Sequence, residues 1–330
     1  MATITHRGAA QYQAIIRRKG YPTKTATFET QAEAIKWARH IEAQMDKRVY
    51  KDTTPAERTT LGQALERYSQ QRSAKKKGAK QEHYRIQQLL QHPLSARPLS
   101  TLDSADFANY RDVRLETIGA NSVRLELALL SNIFTVAKRD WRIHVENPLL
   151  DVEKPKLPRG RDRRLVDDEE ERLLAAAHNS HTVSLLTAIQ LAIETGMRAG
   201  EIVALRWEHI DFKSSVIRLR ITKNGDNRIV PLSEKAESLL QALPHPIHGG
   251  RVTTFYDSNG LSAAFRRATK RANIEGLKFH DLRHEAASRL APRMTVATLA
   301  KVMGWRSLQM AMRYYNPTAA ELVAAVRAAA

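Results

Sequence analysis

The chain has 330 residues, of which 42% are hydrophobic, and carries 53 Lys and Arg against 35 Asp and Glu, a formal net charge of +18. That apolar content suffices for two or three folded domains, and the lack of any cysteine excludes disulfides, thiolate zinc sites and cysteine nucleophiles. The cationic excess favours a polyanion, nucleic acid before membrane: no run approaches a membrane span and the N-terminus MATITHRGAAQYQ has no apolar signal core, so the expected setting is a reducing cytoplasm.

Residues 1–50 read as a small module. QYQAIIRRKG and KTATFET form two short strands around a Gly-Tyr-Pro turn. TQAE, Thr30 to Glu33, is a capping box opening a helix with Ala34, Trp37, Ala38, Ile41 and Met45 on its apolar face. Such a ribbon is either a DNA-reading surface or a plain sheet with a solvated basic face. A polar stretch, KDTTPAER, follows. Residues 57–150 are expected to be all-helical, because no strand pattern competes. Thr60 caps a helix bearing Leu61, Ala64, Leu65 and Tyr68; Ser104 and Asn121 are read as two further N-caps. Val123, Leu127, Leu130 and Phe134 form a core stripe. Residues 151–164 are linker by composition, with Lys154, Lys156, Arg159, Arg161, Arg163 and Arg164 available either to a phosphate backbone or to solvent. A mixed domain is expected over 165–330. VDDEEERLLAAA opens a helix with acids at its positive end, and VSLLTAIQLAIETG is a buried helix ended by Gly196. SVIRLRITKNGDNRIVPL alternates around the Asn224-Gly225 turn signal, and four or five helices follow. The fold class is thus mainly α with small β elements.

The chemistry-bearing residues are scattered. HDLRH sets His280 and His284 one helical turn apart, which mimics a zinc-protease pair. No third ligand is evident and Arg283 adjoins, so an anion suits the helix better: His280 and Arg283, three apart, point one way, and a phosphate accepts from both. ETGMRAGEI places Arg198 at a helix start, where free N–H groups favour an anion; the bland alternative is an ion pair with Glu201. Lys223, beside the hairpin turn, is either a solvated tip or a proton donor to a leaving oxygen. Trp305 is either a packing aromatic or an N–H donor to a phosphate oxygen. In RSLQMAMRYYNP, two tyrosines stand side by side, and a phenol attacks only a polarised target with a base or cations at hand.

In order, Arg198, Lys223, HDLR with Arg283, MGW and a tyrosine nine residues past Trp305 resemble the tyrosine recombinase (phage integrase) family. The resemblance covers about residues 60–330, and the N-terminal module is similar to the arm-binding domains of lambda-type integrases. GRDRRL, ALRWEHIDF, HDLRHEAASR and VRLELALLS are similar to shufflon-type recombinases and prophage integrases. The resemblance implies an N-terminal ββ(β)α arm-type module, a helical (SAM-like) core-binding domain and a mixed catalytic domain. It makes Tyr314 rather than Tyr315 the nucleophile, with Arg198 and Arg283 clamping the scissile phosphate and Trp305, in place of the commoner His, donating a third hydrogen bond. Lys223 protonates the leaving 5′-oxygen, His280 manages the tyrosine proton, and Glu201 and His284 support them. A 3′-phosphotyrosyl bond stores the broken linkage, so neither ATP nor metal is implied. The implied partners are double-stranded DNA, a tetramer on DNA assembled from monomers and docked through the helix of NPTAAELVAAV (Thr318 and Glu321 as capping box; Leu322, Val323 and Val326 as apolar face), and accessory bending or directionality proteins. The first expectation is integration by a mobile element in a bacterial host, with shufflon-type inversion the close alternative; a type IB topoisomerase shares the chemistry, and a catalytically silent DNA-binding protein keeps the fold.

Overall fold

The computed structural model describes residues 2–8, 10–76, 78–158, 160–219, 228–246, 248–315 and 327. Lys223 and the Asn224-Gly225 turn, Arg159, and the C-terminal capping box with its apolar face therefore lie outside the described residues. The chain forms two compact units, 1–159 and 160–330.

Unit 1 begins with an antiparallel sheet in the order β1 (Thr3–Gly8), β2 (Gln11–Ile16), β3 (Lys24–Phe28). Alternation along the chain predicts two of these strands, and the ββ(β)α module leaves room for the third. β1 escapes that pattern because its side chains are nearly all exposed, so no alternation marks a buried face. Helix α1 (Gln31–Asp46) packs on the sheet, its N-terminus closed by the Thr30–Glu33 capping box and its buried face made of Ala34, Ala38 and Met45. Ile16, Ala38 and Met45 form this module's own small core.

The polar stretch KDTTPAER is not merely a spacer. It contains α2 (Thr54–Arg58), in whose first turn Pro55 costs no hydrogen bond. α3 (Leu61–Gln71), α4 (Ala79–Leu90), α5 (Ser104–Thr117) and α6 (Ala120–Arg139) follow. Thr60 and Gln63 make a capping box on α3 as expected. The other two caps shift. Asp103, not Ser104, caps α5 by accepting from the Asp106 N–H, and α6 starts after Gly119 rather than at Asn121. In each case a residue one or two positions earlier supplied an extended backbone at the boundary. The predicted stripe Val123, Leu127, Leu130 and Phe134 is wholly buried and meets Leu61, Leu65, Tyr68 and Phe107 in one core.

Unit 2 contains α7 (Glu169–His178), α8 (Leu185–Thr195), α9 (Ala199–Val203), the strands β4 (Ile210–Asp211), β5 (Val216–Leu219) and β6 (Arg228–Pro231), then α10 (Glu234–Gln241), α11 (Ser258–Arg271), α12 (Asp281–Leu290), α13 (Val296–Met303) and α14 (Leu308–Met312). The strands form an antiparallel sheet in sequence order. α7 opens with Glu169, Glu170 and Glu171, which suit the positive end of its dipole. α8 is buried on nearly every side and runs through the main core with Leu261, Phe265, Phe279 and Leu282. A second cluster, Ala287, Ala291, Leu299, Ala300, Met303 and Ala311, carries Trp305, Tyr314 and Tyr315 on its edge.

Candidate active site

Two left-handed glycines shape the site. Gly196 ends α8 with φ +62°, and a Cβ there would meet Met303 at 2.6 Å. Gly304 ends α13 with φ +64°, and a Cβ there would lie 2.8 Å from the Arg228 Cδ. Only glycine fits both the dihedral and the close approach. The turn at Gly196 starts α9 with Arg198 at its N-cap, and the turn at Gly304 presents Trp305.

α12 brings up Arg283, which is only 4% exposed. Its Nη1 donates to the Gly196 carbonyl, its Nη2 donates to the Met303 carbonyl, and its guanidinium lies 5.5 Å from the Trp305 ring centre. Burial first, then the neighbouring Arg228 and Arg198, push this guanidinium down to about 9. A buried cation among cations gains greatly when an anion enters. Arg198 donates from Nη1 to Glu201 Oε1 at 2.7 Å, so the bland ion pair is present too. That carboxylate is shared, however. Its Oε2 accepts from Arg228 Nη1 at 2.7 Å and from the Arg198 backbone N–H at 2.9 Å. Burial pushes the Glu201 carboxyl up, but Arg228 and Arg198 outweigh it and hold the group below its ordinary value. The pocket therefore gathers three guanidinium groups and one carboxylate, a net excess of positive charge aimed at an anion.

Tyr314 follows α14. Its ring stacks on Trp305, with centres 5.4 Å apart and planes 7° apart, so Arg283 and Tyr314 flank one indole. The Tyr314 hydroxyl is hydrogen-bonded to His284 Nδ1. Burial, then His280 and Arg313, push His284 below its ordinary value, which favours the neutral ring near neutrality. Burial pushes the phenol up against the opposing pull of Arg313 and Arg283; the resting hydroxyl is protonated near neutrality. Tyr315 points away and donates to the Met294 carbonyl at 2.6 Å. The tyrosine pair is thus divided by the structure, one stacked on Trp305 beside the cations and one tied to the Met294 carbonyl.

Of the predicted site residues, Arg198, Arg283, Trp305 and Tyr314 come together. His280 is the exposed N-cap of α12, its ring centre 5.6 Å from that of His284. The resemblance assigns the tyrosine proton to His280; in the structure the Tyr314 hydroxyl bonds His284, one turn further along the helix, where the side chain faces the aromatic cluster. Arg228 was missed. The signal was available in the alternation of RIVP, where Arg228 occupies an inward position beside buried Val230. Among the described residues no group of three or more His, Asp or Glu is placed to hold a metal ion, and no helix is long and apolar enough to cross a membrane.

The basic residues of 151–164 divide. Lys154 and Lys156 are exposed in unit 1. In unit 2, Arg161 reaches Asp281 at 2.8 Å, Arg163 pairs with Glu169, and Arg164 reaches buried Glu285 at 3.2 Å. Asp162 pairs with Arg313, next to the nucleophile candidate. This strap is therefore fastened to α12 and to the tyrosine turn by side chains that composition alone marks as solvated.

Two family models match the chain: the phage integrase family over residues 163–321 and the phage integrase N-terminal domain over residues 57–156. A shufflon-specific DNA recombinase of Escherichia coli is 43% identical over 274 residues, covering 80% of this chain and 71% of that protein. A putative integrase/recombinase of Haemophilus influenzae is 36% identical over 335 residues, covering 97% and 89%. Among solved structures, a lambda integrase dimer bound to a COC′ core site superposes with a TM-score of 0.67 at 21% identity, covering 95% of this chain and 94% of that one. The lambda integrase tetramer bound to a Holliday junction superposes at 0.66, also at 21% identity and with the same coverage. The ordered cationic pocket, the divided tyrosine pair and these matches lead to one conclusion: the chain belongs to the phage integrase family and is a tyrosine recombinase.

Proposed function

We propose that the protein is a site-specific DNA recombinase in which Tyr314 is the nucleophile. The observation that supports this best is the placement of Arg283 and Tyr314 on one tryptophan, with the phenol hydrogen-bonded to the His284 imidazole. Arg198 and Arg283 would hold the non-bridging oxygens of the scissile phosphate, with Trp305 donating a further hydrogen bond. The Tyr314 oxygen attacks phosphorus while its proton passes to His284, beside His280. The bond to the 5′-oxygen breaks, Lys223 supplies that oxygen with a proton, and a 3′-phosphotyrosyl bond remains. Attack by a 5′-hydroxyl of another strand reverses the step. Positioning and fixed cations carry most of the catalysis in such a transfer.

Residues 1–50 would serve as the arm-type module, 57–150 as the core-binding domain, 151–164 as the linker and 165–330 as the catalytic domain. Lys154 and Lys156 would meet the phosphate backbone, as would Arg159 and any of Arg161, Arg163 and Arg164 released from their carboxylates. Double-stranded DNA is the partner, with four copies in the synapse, as in the lambda integrase tetramer on a Holliday junction. Integration of a mobile element in a bacterial cytoplasm, aided by accessory bending or directionality proteins, is the first reading of the product. Inversion is the second, favoured by the 43% identity to the shufflon-specific enzyme. A suicide DNA substrate, nicked near the cleavage site, tests the chemistry. Wild-type protein should become covalently attached and Tyr314→Phe should not, with DNA affinity kept. Loss of attachment in Tyr315→Phe instead would move the role one residue. No adduct with wild type would indicate a silent DNA-binding protein, and supercoil relaxation without strand exchange a topoisomerase.

A further inference from the structure

Arg228 is 6% exposed and belongs to none of the roles above. Its Nε and Nη2 both donate to the Val302 carbonyl, at 3.0 and 2.8 Å, and its Nη1 reaches Glu201 Oε2 at 2.7 Å. It also packs under Gly304, the residue that turns the chain toward Trp305. Glu201 divides its two oxygens between two arginines: Oε1 takes the Arg198 side chain, while Oε2 takes Arg228 and the Arg198 backbone N–H. A carboxylate given wholly to Arg198 would close a two-oxygen fork on it and neutralise it. A carboxylate shared with a second, more deeply buried guanidinium neutralises Arg198 only in part. The Val302 carbonyl, accepting twice, fixes Arg228 where this competition is kept up.

We propose that Arg228 is a positioning residue that, by holding one oxygen of Glu201, leaves the charge of Arg198 less compensated and so available to the scissile phosphate. This rests on the functional reading above, in which Arg198 clamps that phosphate. Arg228 touches no substrate; it sets how much of the Arg198 charge remains for one. The transition state of phosphodiester transfer carries more negative charge on the non-bridging oxygens than the ground state. Charge retained on Arg198 therefore accelerates cleavage more than it tightens binding.

The test uses the full chain, a suicide DNA substrate and single-turnover adduct rates at saturating DNA, with DNA affinity and melting curves measured in parallel. R228Q should slow adduct formation at least tenfold with DNA affinity within threefold of wild type, because Arg198 is now claimed by Glu201. R228Q/E201Q should recover at least tenfold over R228Q, because the claimant has gone. A merely structural support predicts the reverse, since the double variant removes still more of the buried network, and a double variant as slow as R228Q overturns the proposal. Should R228Q not fold, R228M/E201M replaces the buried pair by apolar bulk, a change such pairs commonly tolerate. An adduct rate within tenfold of wild type then supports the proposal, and a larger loss overturns it. Wild-type protein is the control for the underlying reading: no wild-type adduct sinks that reading, whereas a wild-type adduct matched by R228Q sinks this inference alone.

Discussion

Replacing Arg283 by lysine keeps a positive charge on α12 and removes the fork. The guanidinium donates at once to the Gly196 and Met303 carbonyls and faces the Trp305 ring. Lysine carries its donors on one nitrogen at the end of a shorter stem and does not reproduce the two separate nitrogens that serve these carbonyls, so one of them is expected to lose its donor inside a buried turn. An orphaned buried acceptor costs about 1–3 kcal/mol. For a unit of this size, about 2–4 °C of melting temperature accompanies each kcal/mol, so Tm should fall by roughly 2–12 °C. The catalytic cost is separate. Losing one donor to the developing phosphate charge removes about 2.7–4 kcal/mol, or roughly 10²–10³ in rate. Adduct formation on a suicide substrate under single-turnover conditions, at a temperature well below both melting points, reads the second cost alone. An adduct rate within threefold of wild type would refute the assignment of this side chain to the clamp. A Tm unchanged within a degree would refute the account of the two carbonyls.

Tyr315→Phe should leave the adduct rate unchanged and cost about 1 kcal/mol of stability, read as a lower denaturant midpoint, because only the bond to the Met294 carbonyl is lost. Acidification should slow cleavage as His284 protonates, and burial places that limb below the ordinary histidine value of 6.5. A pH–rate profile with its midpoint at or above 6.5 contradicts this, and His284→Asn should abolish the limb. The same depressed value means that the unfolded chain binds the proton more readily. The His284 contribution to stability is therefore full above pH 6.5 and is lost as pH falls below it. DNA affinity should fall steeply with salt, since a chain of net charge +18 releases many counterions; a flat response in a filter or anisotropy assay would exclude an extended duplex footprint.

Local chemistry was legible along the chain. The capping boxes at Thr30 and Thr60, the stripe from Val123 to Phe134 and the stop at Gly196 each depend on residues within a few positions of one another, so their spacing states them. The order of Arg198, Arg283, Trp305 and Tyr314 identified the chemistry for a different reason: it is a pattern of residue types, readable without coordinates. What tertiary structure alone decided is which of these groups meet, and with whom. Glu201 is divided between Arg198 and an arginine 27 residues further on, His284 rather than His280 takes the Tyr314 hydroxyl, and Arg161, Arg163 and Arg164 are held by carboxylates as much as 121 residues away. An ion pair has no period and no fixed spacing. Its partners are chosen by where packed helices and strands bring charge out of water, and that depends on the whole core rather than on any window of sequence.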